Sequence, residues 1–405
     1  MNLKFVADVS QEEYMNWLTS LDNYNITQTP MWSKIKTGWK NTLCLLYRDD
    51  RPIAGALLLI RKFAPGLKMI YSPRGFVIDY SDKEAVEAFT NGVVGYAKKI
   101  GAYVIRIDPE IVLSNNHMKT TVIDLEGKQK MAYLQKLGFK HMGFEKDFHA
   151  YTQPRYNAEI ALTDSNGEPF SDEVLAKSFD KKIRKFIGHY TDVRGVFFEY
   201  DMGKNAIRRF SEISSHTEDR QHIILRDESY FNRIYDAFGD DNVIFFAKID
   251  LDKLMLFLED QIKNGDNETV DQAIKDLDNA RTLKVQKGNI VTMSALLTVK
   301  SNSTAYLLYS GFDDSIFPRF RTTNQLRFEA MRYFRNQGCK IFSLLGIHGD
   351  LNDSLSDFKM KFNPNVVEYA GEFEYPVKKI RYHLMTKLLP LAKRIYFKIK
   401  LRKNK

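Results

Sequence analysis

Tyr96-Ala-Lys-Lys-Ile-Gly101-Ala-Tyr-Val-Ile-Arg-Ile-Asp108 and Tyr333-Phe-Arg-Asn-Gln-Gly338-Cys-Lys-Ile-Phe-Ser-Leu-Leu345 share one grammar. In each, a helix ends on glycine and passes at once into an apolar extended run. Glycine tolerates the left-handed conformation that closes a helix, and branched and aromatic residues suit a pleated strand. Upstream of the first copy, residues Asp82 to Ile100 place apolar side chains at helical spacing. Before that, Leu43-Cys-Leu-Leu-Tyr47 and Pro52 to Ile60 read as two strands joined by the polar turn Arg48-Asp-Asp-Arg51. Helix-glycine-strand is common, so this echo alone leaves duplication open against coincidence. A second echo adds weight: Val243 to Ile249 and Ile290 to Lys300 form another strand pair, continued by Ala305 to Ser310, with a long polar insert in place of the short turn.

The totals fit a duplicated α/β chain. A length of 405 residues exceeds what one core organises, and 44% apolar residues can fill two. The expected division is a first α/β unit over 1–153, with the C-terminal stretch 373–405 packing on it, and a second over 154–372. Within the second, 250–288 reads as a helical hairpin of coiled-coil type. Leu254, Leu258 and Ile262 make one stripe, Val270, Ile274, Leu277 and Ala280 another, and Asn264-Gly-Asp-Asn267 is the turn; a charged loop is the alternative.

The formal charge of +9 sits in the tail: residues 376–405 carry eleven Lys or Arg and no acid, leaving the remainder slightly acidic. Ile380, Leu384, Leu388, Leu391, Ile395 and Ile399 recur at three or four residues there, and Pro390 is expected to kink the helix. Such a basic amphipathic helix suits an anionic membrane surface, unless its apolar stripe packs on the protein itself. The amino terminus has neither the basic nor the apolar part of a signal peptide, and no apolar run approaches ~20 residues, which predicts a cytoplasmic chain peripheral to the membrane. Cys44 and Cys339, far apart, read as core residues and predict no metal site.

Tyr133-Leu-Gln-Lys-Leu-Gly-Phe139 resembles the closing helix-to-strand phrase of the GNAT acyltransferase fold, so two tandem GNAT-like domains are the expected architecture. The phosphate-cradling loop that coenzyme A requires is missing: Gln135 to Lys140 and Arg335 to Lys340 lack the final small residue and lie at the wrong ends of their helices. The tandem version without coenzyme A is the Fem/Mur family (FemA, FemX, MurM), and phrases in family order resemble it along nearly the whole chain. They are Gln28-Thr-Pro-Met-Trp32-Ser-Lys-Ile-Lys36, Ser72-Pro-Arg-Gly75 and Ile105-Arg-Ile-Asp108-Pro109. Later come Thr217-Glu-Asp-Arg220, Leu225-Arg-Asp227 with Tyr230-Phe231, and Asp357-Phe-Lys-Met-Lys-Phe-Asn-Pro364. Length, insert and basic tail are most similar to MurM-like members that act on a lipid-linked precursor.

The resemblance implies an aminoacyltransferase of peptidoglycan synthesis. It would move an amino acid, alanine or serine by expectation, from aminoacyl-tRNA to the stem-peptide lysine amine of lipid II or of the soluble UDP-linked pentapeptide, with no cofactor. Lys359 would stabilise the oxyanion, next to Phe358. Lys361 is its rival, since in an extended segment both point to one face. Asp108 would take a proton from the amine, orient it, or merely cap backbone N–H groups. Lys36, Arg220 and Arg226 would bind diphosphate, with Tyr103 and Tyr309 as hydrogen-bonding walls, although Tyr103 also alternates with core residues. Lys181, Lys182, Arg184 and Lys185 form a basic cluster suited to tRNA phosphate or simply to solvent. Two rivals remain: an acyltransferase using coenzyme A, and a non-catalytic RNA- or membrane-binding protein.

Overall fold

The structure is a computed structural model describing residues 2–64, 67–117, 120–147, 152–188, 191, 194–221 and 226–386, the side chains of 217–221, 267 and 268 excepted. The first half runs β1 (Leu3–Ala7), α1 (Gln11–Thr19), α2 (Pro30–Ile35), β2 (Lys40–Arg48), β3 (Arg51–Ala64), β4 (Leu67–Ser72), α3 (Lys83–Ile100) and β5 (Ala102–Ile107). It continues through β6 (Val112–His117), β7 (Thr120–Ile123), α4 (Leu125–Lys136) and β8 (Lys140–His141). The second half opens with β9 (Tyr156–Ala161), α5 (Asp172–Ser178), α6 (Lys181–Arg184), β10 (Val196–Asp201), α7 (Lys204–Gln221), α8 (Glu228–Phe238) and β11 (Asn242–Asp250). Then come α9 (Leu251–Asn264), α10 (Asn267–Lys287), β12 (Ile290–Lys300), β13 (Thr304–Phe312), α11 (Thr322–Asn336), β14 (Ile341–Ile347), α12 (Ser354–Met360), β15 (Asn365–Tyr369) and β16 (Phe373–Pro376).

Local chemistry explains the boundaries. Asp49 and Asp50 both take positive φ, 48° and 64°, so the two-residue loop between β2 and β3 has the twist that matches its strands. Asp82 accepts from the Ala85 N–H at 3.1 Å to start α3, and Gly101, at φ 78°, ends it. Phe89, Val93 and Ala97 on α3 meet Ile70 and Ile105 in one buried cluster.

The duplication is visible in the sheets. β1-β2-β3-β4-β5 and β10-β11-β12-β13-β14 have the same order, with three antiparallel pairings followed by a parallel one. Each parallel step is crossed by a helix, α3 or α11, and each first step by a helix pair, α1–α2 or α7–α8. Beyond the common five strands the halves exchange material. β16, from the end of the chain, lies between β5 and β8; β9, from the middle, lies between β14 and β15. β6 and β7 also join the second sheet, although they precede residue 153.

The insert forms two helices, α9 and α10, joined after Gly265 and capped by Asp250 and Asp266. Leu254, Leu258, Ala273, Leu277, Ala280 and Leu283 are enclosed, whereas Ile274, expected in the stripe, is 51% exposed. Helix α10 turns Ala273 inward in place of Ile274, while Leu277 and Ala280 are enclosed where the stripe places them. Of the tail, residues 379–386 are helical, and 387–405 lie outside the described residues. Tyr382 is buried and Met385 half-buried against the first half, whereas Ile380 and Leu384 are exposed.

Because β16 is central to the first sheet, Phe373→Ala is expected to lower the unfolding free energy by about 3–5 kcal/mol. All three tryptophans, Trp17, Trp32 and Trp39, lie in the first half, so their fluorescence reports it while far-UV ellipticity reports both. In urea the two transitions should coincide and shift together; separate transitions would show that the exchanged strands do not couple the halves.

Candidate active site

Asp108 directly follows β5, whose last residue is Ile107. It is 3% exposed and its carboxylate accepts three hydrogen bonds: Tyr71 Oη at 2.7 Å, Arg74 N at 2.5 Å and Gln153 N at 2.6 Å. Burial raises its pKa to about 6, although Arg74 pulls the other way. The Arg74 turn is built for this contact: Arg74 and Gly75 both have positive φ, and a Cβ on Gly75 would stand 2.6 Å from Pro109 Cα. Gln28 holds the turn from outside, donating to Ser72 Oγ at 3.1 Å and accepting from Leu57 N at 2.8 Å. The Arg74 guanidinium crosses to the second half, donating to Asn157 Oδ1 at 3.1 Å and lying 4.7 Å from the centre of the Tyr369 ring. Of the roles considered for Asp108, capping is the one its geometry displays.

From Asp108 an aromatic path leads to a cation pair. The Tyr71 ring is 6.3 Å from Trp39, whose N–H donates to the Lys36 carbonyl. Lys36 Nζ sits 4.8 Å from the Trp32 ring centre, and burial with the nearby Arg226 lowers its pKa to about 8. Arg226, exposed, lies 5.0 Å from the Tyr230 ring. Tyr309 Oη donates to Tyr230 Oη at 3.2 Å. Helices α2 and α8, equivalent in the two repeats, thus meet at a junction that gathers Lys36, Arg226 and Tyr309. Tyr103 is 6% exposed inside the apolar cluster, so it is part of the core. The side chain of Arg220, near the end of α7, lies outside the described residues.

In the second half, Lys359 is partly buried on α12 and donates to the Gly346 carbonyl at 2.8 Å. Burial, reinforced by Arg327 and opposed by Asp353, lowers its pKa to about 7. Phe358 packs on Phe362 at 5.7 Å and carries the Arg327 guanidinium at 4.8 Å. The shared face expected for Lys359 and Lys361 is a correction: the segment is helical, so residues two apart diverge, and Lys361 instead bonds Asp357 at 2.5 Å. Lys181, Lys182, Arg184 and Lys185 are exposed on and just after α6.

A cavity of about 290 Å³ lies where the chain crosses between halves, lined in part by Arg106, Glu145, Thr152, Gln153, Arg155 and Glu372. Gln153 is the residue that donates to Asp108. Another lining residue, Asp147, pairs with His348 at 3.2 Å, two residues beyond the Gly346 carbonyl that holds Lys359. The cavity is thus linked to Asp108 through Gln153, and toward the Lys359 segment through Asp147 and His348. Burial raises Glu372 to about 7, opposed by Arg106, with which it pairs at 3.0 Å. Arg74 and Arg327 were not nominated from the sequence. Arg74 stands in the quoted Pro-Arg-Gly phrase, and its positive-φ turn was the available signal; Arg327 sits in an amphipathic helix with nothing to mark it.

The FemAB family model matches residues 9–274 and 260–389. The chain belongs to the FemAB family. It is 27% identical over 432 residues to a lipid II:glycine glycyltransferase of Staphylococcus epidermidis, covering 97% of both chains. A lipid II:glycine glycyltransferase of Staphylococcus aureus is 28% identical over 430 residues, covering 96% of this chain and 97% of that one. Among solved structures, FemX superposes with a TM-score of 0.78 at 24% identity, covering 95% of this chain and all of FemX. A conserved Bacteroides thetaiotaomicron protein of unknown function gives 0.51 at 9% identity, over 92% of this chain and 99% of that one. The fold is thus two GNAT-like domains in tandem, as a FemAB protein.

Asp108 also sets a pH dependence. Its pKa rises from 3.8 to about 6 on folding, so its contribution is most favourable below 3.8 and is lost as pH rises through 6. A shift of this size corresponds to about 3 kcal/mol. Asp108→Asn should remove that share of the fall in unfolding free energy between pH 4 and 7, whatever its absolute effect. Parallel wild-type and variant profiles in urea titrations would contradict the assignment.

Proposed function

We propose that this chain is an aminoacyltransferase of peptidoglycan synthesis, moving an amino acid from aminoacyl-tRNA to the stem-peptide lysine amine of lipid II. The observation that carries the reading is the likeness, over 96–97% of both lengths, to proteins named lipid II:glycine glycyltransferases. The geometry supports it with a cation in each half: Lys36 beside Arg226, and Lys359 on α12.

In the reaction, the neutral amine attacks the ester carbonyl carbon. A nitrogen–carbon bond forms, the bond to the ribose oxygen breaks, and the amine's proton ends on the released ribose hydroxyl. The ester is already activated, so the protein's task is to orient the partners and stabilise the oxyanion. Lys359 suits the second part. One of its protons is engaged by Gly346, and an ammonium has two more to aim at a developing oxyanion. Asp108, already accepting three hydrogen bonds, suits a positioning role, holding Tyr71 and the Arg74 turn. Lys36 and Arg226 suit the acceptor's diphosphate, with Tyr309 alongside.

The lipid-linked acceptor is favoured over the soluble one by the relatives' names and by the tail, whose exposed Ile380 and Leu384 begin the apolar stripe and whose cations would meet an anionic inner leaflet. No helix among the described residues is long and apolar enough to cross a membrane, so attachment would be peripheral. The transferred residue is proposed to be small; the relatives' names point to glycine beside the alanine or serine of the sequence reading.

The test incubates the purified chain with tRNA charged with glycine, alanine or serine, and with lipid II in vesicles or the UDP-linked precursor, and weighs the product. Mass gain on lipid II is expected; no gain on either acceptor sinks the proposal, and gain with acetyl-CoA instead would select the rival acyltransferase. Lys359→Ala should reduce kcat about 10²–10³-fold with precursor KM nearly unchanged. Unchanged kcat with weakened binding would make Lys359 a substrate ligand instead. Deleting 387–405 should spare transfer to the soluble precursor and impair transfer in vesicles, whereas equal loss on both would make the tail part of the fold.

A further inference from the structure

The two ends of the first sheet differ in charge. By register, Lys40 at the start of β2 lies across from Ile60 near the end of β3, and Lys62 on β3 lies across from Lys68 at the start of β4. Lys68 in turn pairs with Ala102 at the start of β5, and Pro376 at the end of β16 pairs with Val104. The segments that meet at this end, residues 34–40, 61–68, 98–101 and 376–386, hold eleven Lys or Arg and no Asp or Glu. The opposite end mixes the signs, with Asp49, Asp50 and Glu372 near Arg48 and Arg51. None of the eight cations in the first three segments forms an ion pair among the described residues. Lys62 across from Lys68 is a like-charge pair, which costs the sheet stability unless an outside anion lies over it.

Apolar side chains stand exposed among these cations. Phe63, near the end of β3, is 51% exposed, and Ile380 and Leu384 of the tail helix are 80% and 53% exposed. Phe63 is braced from behind: the Arg61 guanidinium lies 5.2 Å from its ring and 5.4 Å from the Trp39 ring, and Trp39 packs on Tyr71. Leu67 of β4 and Met385 of the tail helix join Trp39 at the border of one apolar cluster, so the β3–β4 end and the tail share one surface. A nucleic-acid backbone would answer the cations but gives two aliphatic side chains nowhere to go. An anionic bilayer answers both, with phosphates for the cations and acyl chains for Phe63, Ile380 and Leu384.

We propose that this end of the first sheet is a membrane-docking surface, in which Phe63 enters an anionic leaflet with Arg61 and Lys62 at the headgroups and the tail helix lies beside it. The β3–β4 end is thus a second contact, separate from the tail and fixed to the sheet. A single weak anchor gives only marginal attachment, and two together give a stable one. A tail alone would tether the chain, whereas a contact built into the sheet also sets its orientation. That orientation rests on the proposed function: Lys36, in the same basic end, would face the level at which a lipid-linked acceptor carries its diphosphate.

The test co-sediments the full chain with phosphatidylcholine vesicles, with and without phosphatidylglycerol and without lipid II. Wild type should bind the anionic vesicles, bind the zwitterionic ones far less, and be released by salt. Phe63→Ser should weaken partition at least about tenfold, and Lys62→Ser about fivefold. Both variants should keep the wild-type melting midpoint, because both side chains are exposed, and should keep transfer to the soluble UDP-linked precursor. Partition of Phe63→Ser equal to wild type overturns the proposal and leaves the tail as the contact. Weakened binding of an RNA minihelix in place of vesicles also overturns it, as does a lowered melting midpoint showing that Phe63 serves the fold. If Phe63→Ser loses vesicle binding but wild type transfers nothing to either acceptor, the proposed reaction fails and the docking surface stands. If wild type transfers and Phe63→Ser partitions normally, the reverse holds.

Discussion

The exchanged strands are the constraint on which the site depends. β16, from the second half, supplies the neighbour of both β5 and β8, and β6 and β7, from the first half, extend the second sheet beyond β15, so each sheet holds strands from the other half. The crossing segment that delivers β9 carries Gln153, whose N–H closes the hydrogen bonding of Asp108. Arg74 completes the tie by reaching Asn157 on β9 and lying over Tyr369 on β15. The relation between the Lys36 side and the Lys359 side is thus set by backbone pairing and a buried guanidinium. A hinge between the halves would have to break a sheet.

Against that rigid frame stands a set of charges that the fold holds away from their ordinary states. Burial pushes Asp108 up to about 6 and Glu159 and Glu372 to about 7, and pushes Lys36 down to about 8 and Lys359 to about 7. Raised carboxylates lose stability as pH rises to neutral, and lowered lysines lose it as pH falls toward neutral, so both groups are least comfortable near pH 7. Such strain concentrates at sites where a ligand later supplies what the chain withholds. The pattern is not shared by Asp82, where the Ala85 N–H and then Arg48, paired at 2.7 Å, hold the carboxyl below its usual range.

Local signals were legible in the sequence and long-range ones were not. Gly101 and Gly338 do take positive φ, 78° and 83°, because a helix closing into a strand requires it there. The Arg48–Arg51 turn is a two-residue hairpin loop for the same local reason. Strand exchange could not be read, because Phe373 to Pro376 is a short run whose partners lie some 270 positions away, and pairing at that distance leaves no periodicity. Ile274 was misplaced because Leu277 lies four residues after Ala273 and three after Ile274, so both fit a helical stripe, and only packing against Leu254 and Leu258 decides. Lys359 and Lys361 would share a face only in an extended segment, whereas Asp353 caps the N–H groups of Leu355 and Ser356 and so starts a helix there. Among site residues, Asp108, Lys36 and Lys359 stand in quoted phrases, while Arg327, buried over Phe358, sits in an amphipathic helix with nothing in the sequence to mark it.

Charge also separates the two projecting features of the second half. The α9–α10 hairpin carries eight acids against six bases over residues 251–287, and several neutralise one another, as in Lys284 with Asp252 at 2.5 Å and Arg281 with Glu259 at 3.4 Å. A surface of that balance gives a polyanion no net attraction, however far it projects. The α6 region is the opposite, small in extent, with four exposed cations, Lys181, Lys182, Arg184 and Lys185, that make no ion pair among the described residues. Reach and charge therefore belong to different elements.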